Sequence, residues 1–425
     1  MDLVLWTCPF NHGQSIEVVL RQLKRADGSV IGQTFSPLGN PPEERQIPGR
    51  WVRLSRPPIA DNPTALMLSV TEELERREVL RPKDICKLNQ IAEEAFSITG
   101  IIFPEEVEYS HGKIGAGWLF LVSRREFIEG APGSPQISLV RGERASDRDI
   151  FARLPVASAL EAKKVLLTGC GAIGSFAAVE LARAGVGNLA LLDSDVVQPG
   201  NGLRWPLGRR AWGVKKSVAL KYFIDQNYPR TKVDALHGRL GSGMTHDTAL
   251  PAEVESNPTH LAQILGLIQD ADLVIDASAS TEVQHAINFY CRDLGKPLVM
   301  GYATEGLAGG VVARFRSRSD ACWVCLNEHW NDEDGPLPKL RIDKTGVVTP
   351  IGCNQPTFTG GSFDLQEVSL EIVRSAIGLL ADGAYDPGSW SVAILELRDD
   401  RGHRILPTWT NHNPPPHPHC RCSNK

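Results

Sequence analysis

Lys164-Val-Leu-Leu-Thr168 runs directly into Gly169-Cys-Gly171-Ala-Ile-Gly174, and then into Ser-Phe-Ala-Ala-Val-Glu-Leu-Ala-Arg183. A short apolar run followed by spaced glycines and then a helical period reads as strand, tight turn and helix. In that context the glycine turn presents backbone N–H groups and a helix N-terminus, the natural cradle for phosphate. The next apolar run, Asn188–Asp193, ends in an acid that can accept hydrogen bonds from ribose hydroxyls. The unit therefore specifies nucleotide binding, and by itself leaves both NAD and ATP open.

Working outward, short apolar runs and helical periods keep alternating, the pattern of an α/β, Rossmann-like domain with a mainly parallel sheet. Further strands are expected at Leu273–Asp276, Pro297–Tyr302, Gly310–Arg316, Trp390–Arg398 and His403–Trp409. Helices are expected at Ser175–Ala184, Val214–Gln226, His260–Gln269, Thr281–Leu294 and Phe363–Leu380. Between Arg316 and Gly361 periodicity is weak and Pro, Asp and Gly are frequent, so this gap is expected to be irregular and functional or disordered. The first 150 residues or so read as a smaller α+β domain, with helices at Pro63–Val79 and Lys83–Ile98 and a strand at Gly117–Ser123. Glu129–Asp147, rich in Gly, Pro, Ser and charge, suits a linker. The expected domains are thus 1–148 and 149–425.

Composition limits the class of function. The chain has 425 residues, 42% apolar and 22% charged, enough to bury two or three cores and too apolar for a disordered regulator. With 45 basic against 50 acidic residues the net charge is −5, which argues against a nucleic-acid binder working by bulk electrostatics. No run approaches the roughly 18 apolar residues of a membrane span, and Met-Asp-Leu-Val at the start lacks the basic region of a secretory signal. Nine unevenly spaced cysteines do not make a disulfide framework. A cytoplasmic location is the expectation.

The segment after the second strand narrows the nucleotide. Leu191-Leu-Asp193-Ser-Asp195-Val-Val-Gln-Pro-Gly-Asn201-Gly-Leu-Arg204 sets two acids, an amide and an arginine beyond the strand end, and Lys216 follows at a helix start. A dehydrogenase needs no arginine and lysine converging on its phosphates beside paired acids. Adenylation does, because in-line attack on an α-phosphate requires cations on the triphosphate and carboxylates to hold Mg²⁺. A solvated charged loop is the plain alternative.

These residues resemble the adenylation domain shared by ThiF, MoeB and ubiquitin-activating enzymes. Gly169, Gly171 and Gly174, the Asp193-x-Asp195 pair, Asn201-x-x-Arg204 and Lys216 match that pattern in order and spacing, as do Asp272-Leu-Val-Ile-Asp276, Gly295-Lys-Pro-Leu-Val299 and Cys322-Trp-Val-Cys325. The resemblance runs from about Asp149 onward. The ending, with Cys353-Asn-Gln-Pro-Thr-Phe-Thr359 and a terminal His-Pro-His-Cys, looks most like activating enzymes of bacterial ubiquitin-like conjugation (antiphage) operons. It implies that Asp195, Arg204 and Lys216 contact ATP and its magnesium and that Asn201 positions the phosphates. Arg153 matches an arginine that the family often reaches into a partner's site, and the family habit is a homodimer. One departure stands out: the family aspartate three residues after the Asp276 position is Ala279 here. The metal would then fall to Asp276 and Asp195, or be held less tightly.

Cys322-x-x-Cys325 has the spacing of two ligands on one tetrahedral Zn²⁺, and Cys420 and Cys422 supply a second pair about 95 residues later. Because the second pair is Cys-x-Cys, His417 or His419 could replace one sulfur. A redox role is disfavoured, since no thioredoxin-like unit surrounds the motif. Cys353 lies in the irregular segment about where related activating enzymes place a catalytic cysteine, and is the expected thioester-forming nucleophile. Cys8, Cys86, Cys170 and Cys291 read as inert, and His111 and His329 receive no role.

The function implied is ATP-dependent adenylation of the C-terminal glycine of a ubiquitin-like protein, then thioester formation and transfer to a conjugating enzyme. ATP, Mg²⁺ and Zn²⁺ are the implied cofactors. The first 148 residues carry no chemical motif and are expected to dock a partner or to be a degenerate adenylation-like domain. Three rivals remain: a sulfur-carrier-protein adenylyltransferase of the thiamine or molybdopterin type, an NAD-dependent oxidoreductase, and a silent scaffold that keeps the fold.

Overall fold

A computed structural model of the chain describes residues 153–240, 258–343, 360–381 and 383–424, together with residue 151 and shorter segments within 3–144 and at 347–348 and 357–358. Two compact units divide it, Met1–Arg153 and Leu154–Lys425. No helix among the described residues is long and apolar enough to cross a membrane.

The first unit is built on a nine-stranded sheet. Its spine is the antiparallel pair Glu93–Glu106 and Ile114–Ile128, with Gln136–Arg144 on the far side of the latter. The helix expected at Lys83–Ile98 is not formed: Ile85–Lys87 and Glu93–Glu106 are strands. The reason is pairing with Ile114–Ile128, in a strand that continues past Ile98. Thr99, Ile101 and Phe103 alternate into the core, and two-residue alternation suits a pleat rather than a helix. Nor is Glu129–Asp147 only a linker, because it holds the strands Ala131–Pro132 and Gln136–Arg144, both paired with Ile114–Ile128. The helix at Pro63–Arg76 is present; Asn62 caps it by accepting from the Thr64 and Ala65 N–H groups at 3.0 and 3.1 Å, and Leu66 and Val70, four apart, pack against Val52, Ile101 and Phe103.

The second unit holds an eight-stranded sheet. Its strands, in chain order, are β1 (Lys164–Thr168), β2 (Asn188–Asp193), β3 (Lys232–His237), β4 (Leu273–Asp276), β5 (Leu298–Ala303), β6 (Gly309–Phe315), β7 (Val392–Arg398) and β8 (Arg404–His412). Across the sheet they run 3-2-1-4-5-6-7-8, parallel from β3 to β5 and antiparallel from β5 to β8. Its longer helices are α1 (Gly174–Arg183), α2 (Lys216–Asn227), α3 (Pro258–Asp270), α4 (Thr281–Leu294), α5 (Trp323–Asn331) and α6 (Ser362–Leu380), and a four-residue helix, Ala157–Leu160, precedes β1. Strand β3 escapes a pattern reading because its sequence is half polar and its place is at the sheet edge. Helix α5 lies inside the stretch expected to be irregular; it buries Trp323, Cys325, Leu326 and His329 on one side, and its brevity hid the period.

Helices cover both faces, so the central strands are apolar throughout rather than alternating. Val165 and Leu167 face one core with α1, α2 and α6, while Leu166 faces the other with α3, α4 and α5. The chain leaves β1 toward β2 and β3 and returns on the opposite side at β4. That reversal opens a crevice at the carboxyl ends of β1, β2 and β4, where α/β sheets bind ligands.

Candidate functional site

Each glycine of the turn has its own cause. Gly169 has φ +83°, and a Cβ there would lie 2.4 Å from Ser278 Cα. At Gly174 a Cβ would lie 1.9 Å from the Gly169 carbonyl oxygen, so the helix can start this close to the turn only without a side chain. Gly171 faces open space, with nothing within 4 Å of a Cβ position, which leaves the outer lip of the turn clear for a ligand.

Asp193 pins the turn from the neighbouring strand. Its carboxylate accepts from Cys170 N–H at 2.6 Å and Asp195 N–H at 2.7 Å. Trp205 Nε1 donates to the Cys170 carbonyl at 2.7 Å and clamps the same turn from the loop beyond β2. Sequence reasoning missed this role of Trp205; only its place beside Arg204 could have hinted at it. Asp193 is 9% exposed, and burial raises its carboxyl pKa, opposed by the charge of Lys216 and by those two N–H bonds. Burial likewise lifts the Cys170 thiol well above the ordinary cysteine range, in keeping with an inert residue.

Lys216, the first residue of α2, reaches Asp195 with an Nζ–Oδ2 distance of 2.7 Å, and its backbone N–H also bonds the Asp195 carbonyl at 3.0 Å. The lysine side chain is 11% exposed and that of Asp195 64%, so the pair joins a buried cation to an acid at the crevice mouth. Burial disfavours the ammonium most, yet Asp193 and Asp195 together hold its pKa above the usual lysine value.

At the end of β4, Asp276 Oδ1 accepts from Thr168 Oγ1 at 3.0 Å and from Ser278 N–H at 2.9 Å. Its other oxygen is buried and has no hydrogen-bond partner among the described residues, and burial raises its pKa. An orphan carboxylate oxygen at the foot of the crevice is what a bound cation would satisfy. Beyond it, Ala279 carries the left-handed φ of +53°. Ser280 Oγ donates to Glu282 at 2.8 Å, and Arg239 reaches Ser280 at 2.9 Å and Glu282 at 3.3 Å. Sequence spacing gave no sign of that triad.

Asn201 and Arg204 belong to the turn after β2. Asn201 Oδ1 accepts from Gln198 N–H at 2.8 Å, and the Arg204 N–H bonds the Asn201 carbonyl at 2.8 Å; both side chains are half-buried. Arg153 is exposed at the last position of the first unit. Cys353 lies outside the described residues.

The four cysteines at the start of α5 and in the tail converge. Cys322–Cys325, Cys322–Cys420 and Cys325–Cys422 have Sγ–Sγ distances of 3.7, 3.6 and 3.2 Å, and all four sulfurs lie within 4.8 Å of one another. A tetrahedron with metal–sulfur bonds of about 2.3 Å has edges of about 3.8 Å, so the cluster is sized for Zn²⁺ and the sulfurs are too far apart for disulfides. Burial pushes Cys420 up to about 11 and Cys422 further. Thiols this crowded ionise together only if a cation neutralises them. Neither His417 nor His419 replaces a sulfur in the cluster.

A model of the ThiF family matches residues 147–366. The uncharacterized protein y4oA of Sinorhizobium fredii (strain NBRC 101917 / NGR234) is 47% identical over 408 residues, covering 96% of this chain and 67% of that protein. The molybdopterin-synthase adenylyltransferase of Escherichia coli (strain K12) is 28% identical over 193 residues, 45% of this chain and 68% of the relative. Among solved structures, E. coli MccB with ATP superposes with a TM-score of 0.45 at 16% identity, over 64% of this chain and 69% of that one. On the family match, which takes in the glycine turn, the Asp195–Lys216 pair and Asp276, the chain belongs to the ThiF family.

Proposed function

We propose that this chain is an ATP-dependent activating enzyme for a ubiquitin-like protein ending in glycine. One observation carries the reading: the buried Lys216 ammonium held on the exposed Asp195 beside the glycine turn, whose outer lip at Gly171 is open. A nicotinamide enzyme has no use for that pair, whereas adenylation does. Family membership and the E. coli adenylyltransferase relative support the same chemistry.

In the proposed reaction a carboxylate oxygen of the partner's terminal glycine attacks the α-phosphorus of ATP. The bond to the α–β bridging oxygen breaks and pyrophosphate leaves. The turn N–H groups, the N-terminus of α1, Lys216 and Arg204 would hold the triphosphate and neutralise charge as it develops, with Asn201 ordering the loop that carries Arg204. Asp276 and Asp195 would hold Mg²⁺, which supplies charge neutralisation on the phosphates when bound. Asp193 would serve the nucleotide by fixing the turn. Arg153 would act from a second copy, in keeping with a homodimer.

The thiolate of Cys353 would then attack the acyl carbon, form a thioester and expel AMP, before transfer to a conjugating enzyme. Helix α6 starts at Ser362, nine residues beyond Cys353, and its N-terminus would favour a thiolate nearby. The sulfur-carrier reading shares the first step and differs only in the acceptor. The four-cysteine cluster would hold a structural Zn²⁺, and the cytoplasm would be the compartment.

The test is ATP–pyrophosphate exchange with a small β-grasp protein ending in glycine. Exchange should require that protein and vanish when its terminal glycine is removed. Exchange of the same rate without the partner, or with its tail deleted, would overturn the reading. An enzyme–partner adduct cleaved by reducing agent favours conjugation, and a thiocarboxylate product favours the sulfur route.

A further inference from the structure

The tail between the last strand and the second cysteine pair carries histidines that the thiolate cluster does not use. His329 lies in the last turn of α5, and Asp332, three residues on, is the C-cap of that helix. His417, from the tail, meets them: its Nδ1 accepts from His419 N–H at 3.2 Å, so its Nε2 donates to Asp332 Oδ2 at 2.9 Å, a proton that a bound ion would displace, and its ring centroid is 4.8 Å from that of His329. One ligand atom from each of the three residues lies within 4.8 Å of the others.

Two features go beyond a hydrogen-bonded tie. His329 is 4% exposed, and its Nε2 is 2.8 Å from the Pro415 carbonyl. A carbonyl only accepts, so Nε2 carries the proton and Nδ1 keeps its lone pair. That Nδ1 is buried with no hydrogen-bond partner among the described residues, and a metal-binding histidine typically has its other nitrogen on a carbonyl in this way. Asp332, at the C-cap of α5, places a carboxylate beside the negative end of the helix dipole. An unsatisfied buried lone pair beside a carboxylate calls for a cation.

We propose that His329, Asp332 and His417 form a second metal site, distinct from the four cysteines, for a divalent transition-metal ion such as Zn²⁺. Two imidazoles and one carboxylate suit such an ion and not Mg²⁺ or Ca²⁺. Three protein ligands leave a fourth position open, and Asp332, with a side chain 52% exposed, puts that position at the solvent edge. The ion would staple the proline-rich tail to α5, just before the tail supplies Cys420 and Cys422. The site stands apart from the adenylation reading.

The experiment uses the full chain as purified, titrated with Co²⁺ and separately with Zn²⁺, and metal is counted per chain after desalting. One equivalent of Co²⁺ should bind with visible d–d absorption and without the thiolate charge-transfer band of a cysteine site. His329→Gln/His417→Gln should lower that affinity at least about 100-fold, more than loss of an outer-shell partner costs, while cysteine-bound zinc is retained. Asp332→Asn, an exposed change that spares the core, should also weaken it, by at least about 10-fold. The proposal is overturned if the wild type takes up no thiolate-free equivalent, or if that equivalent binds unchanged in the double variant or in Asp332→Asn.

Discussion

A Cβ on residue 174 would lie 1.9 Å from the Gly169 carbonyl oxygen, so Gly174→Ala must push α1 away from the turn. A cost of about 1–3 kcal/mol is expected in the denaturation midpoint, with loss of stabilisation by ATP. An unchanged midpoint and unchanged ATP stabilisation would mean that the turn is not packed as described. Asp276 allows a prediction with a sign. Its pKa is raised in the folded chain, so the fold holds the protonated form more tightly and loses stability as pH rises through that value. Asp276→Asn keeps the acceptor for Thr168 and Ser278 and removes the buried charge. The variant should therefore be more stable than wild type at pH 8, the gap closing as pH falls, while Mg²⁺-dependent pyrophosphate exchange collapses. A variant less stable than wild type at pH 8 would contradict the account of this carboxylate. For Cys353→Ala, exchange should persist and the reducing-agent-sensitive adduct disappear, whereas Cys170→Ala should keep the adduct. An adduct surviving in Cys353→Ala would move the nucleophile elsewhere.

Helix α5 and the tail carry the clearest prediction about a piece of structure. With its four sulfurs within 4.8 Å of one another, the cluster ties α5 to a segment some 100 residues away. Cys322→Ser should release zinc and lower the melting midpoint by about 10 °C, as expected for a loss of roughly 3 kcal/mol in a unit of this size. ATP affinity should change much less. Full stability without zinc would remove the metal from the account. The same elements show what a sequence can convey. Strands β1, β2 and β4 were legible to the residue, because buried parallel strands are continuous apolar runs and glycines punctuate their ends. Residues 83–98 misled because apolar side chains over a short window fit both periods, and only pairing with Ile114–Ile128 selects the strand. Trp205 and the Arg239–Ser280–Glu282 triad were invisible for a related reason: their partners are 35 and about 40 residues away, and no local spacing encodes such contacts.

Across the second unit, strand order alone brings Gly169, Asp193 and Asp276 to one end of one sheet. That convergence was inferable from motif order, since a nucleotide fold leaves few other arrangements. The distribution of labour among the acids was not. Asp193 turns inward to hold the turn, Asp195 faces outward on Lys216, and Asp276 keeps one oxygen without a hydrogen-bond partner among the described residues, and each depends on burial that composition does not report. The first unit stayed opaque as chemistry because its sequence carries no glycine turn or metal-ligand cluster, and a sheet by itself names no reaction. The central claim, that Lys216 and Asp195 serve phosphate chemistry, is tested most directly by ATP–pyrophosphate exchange in Lys216→Ala with a glycine-ended ubiquitin-like partner. Loss of one preorganised cation should slow exchange by roughly 10²–10³ while the fold, read by its melting midpoint, is retained. Exchange at the wild-type rate in Lys216→Ala would contradict the account.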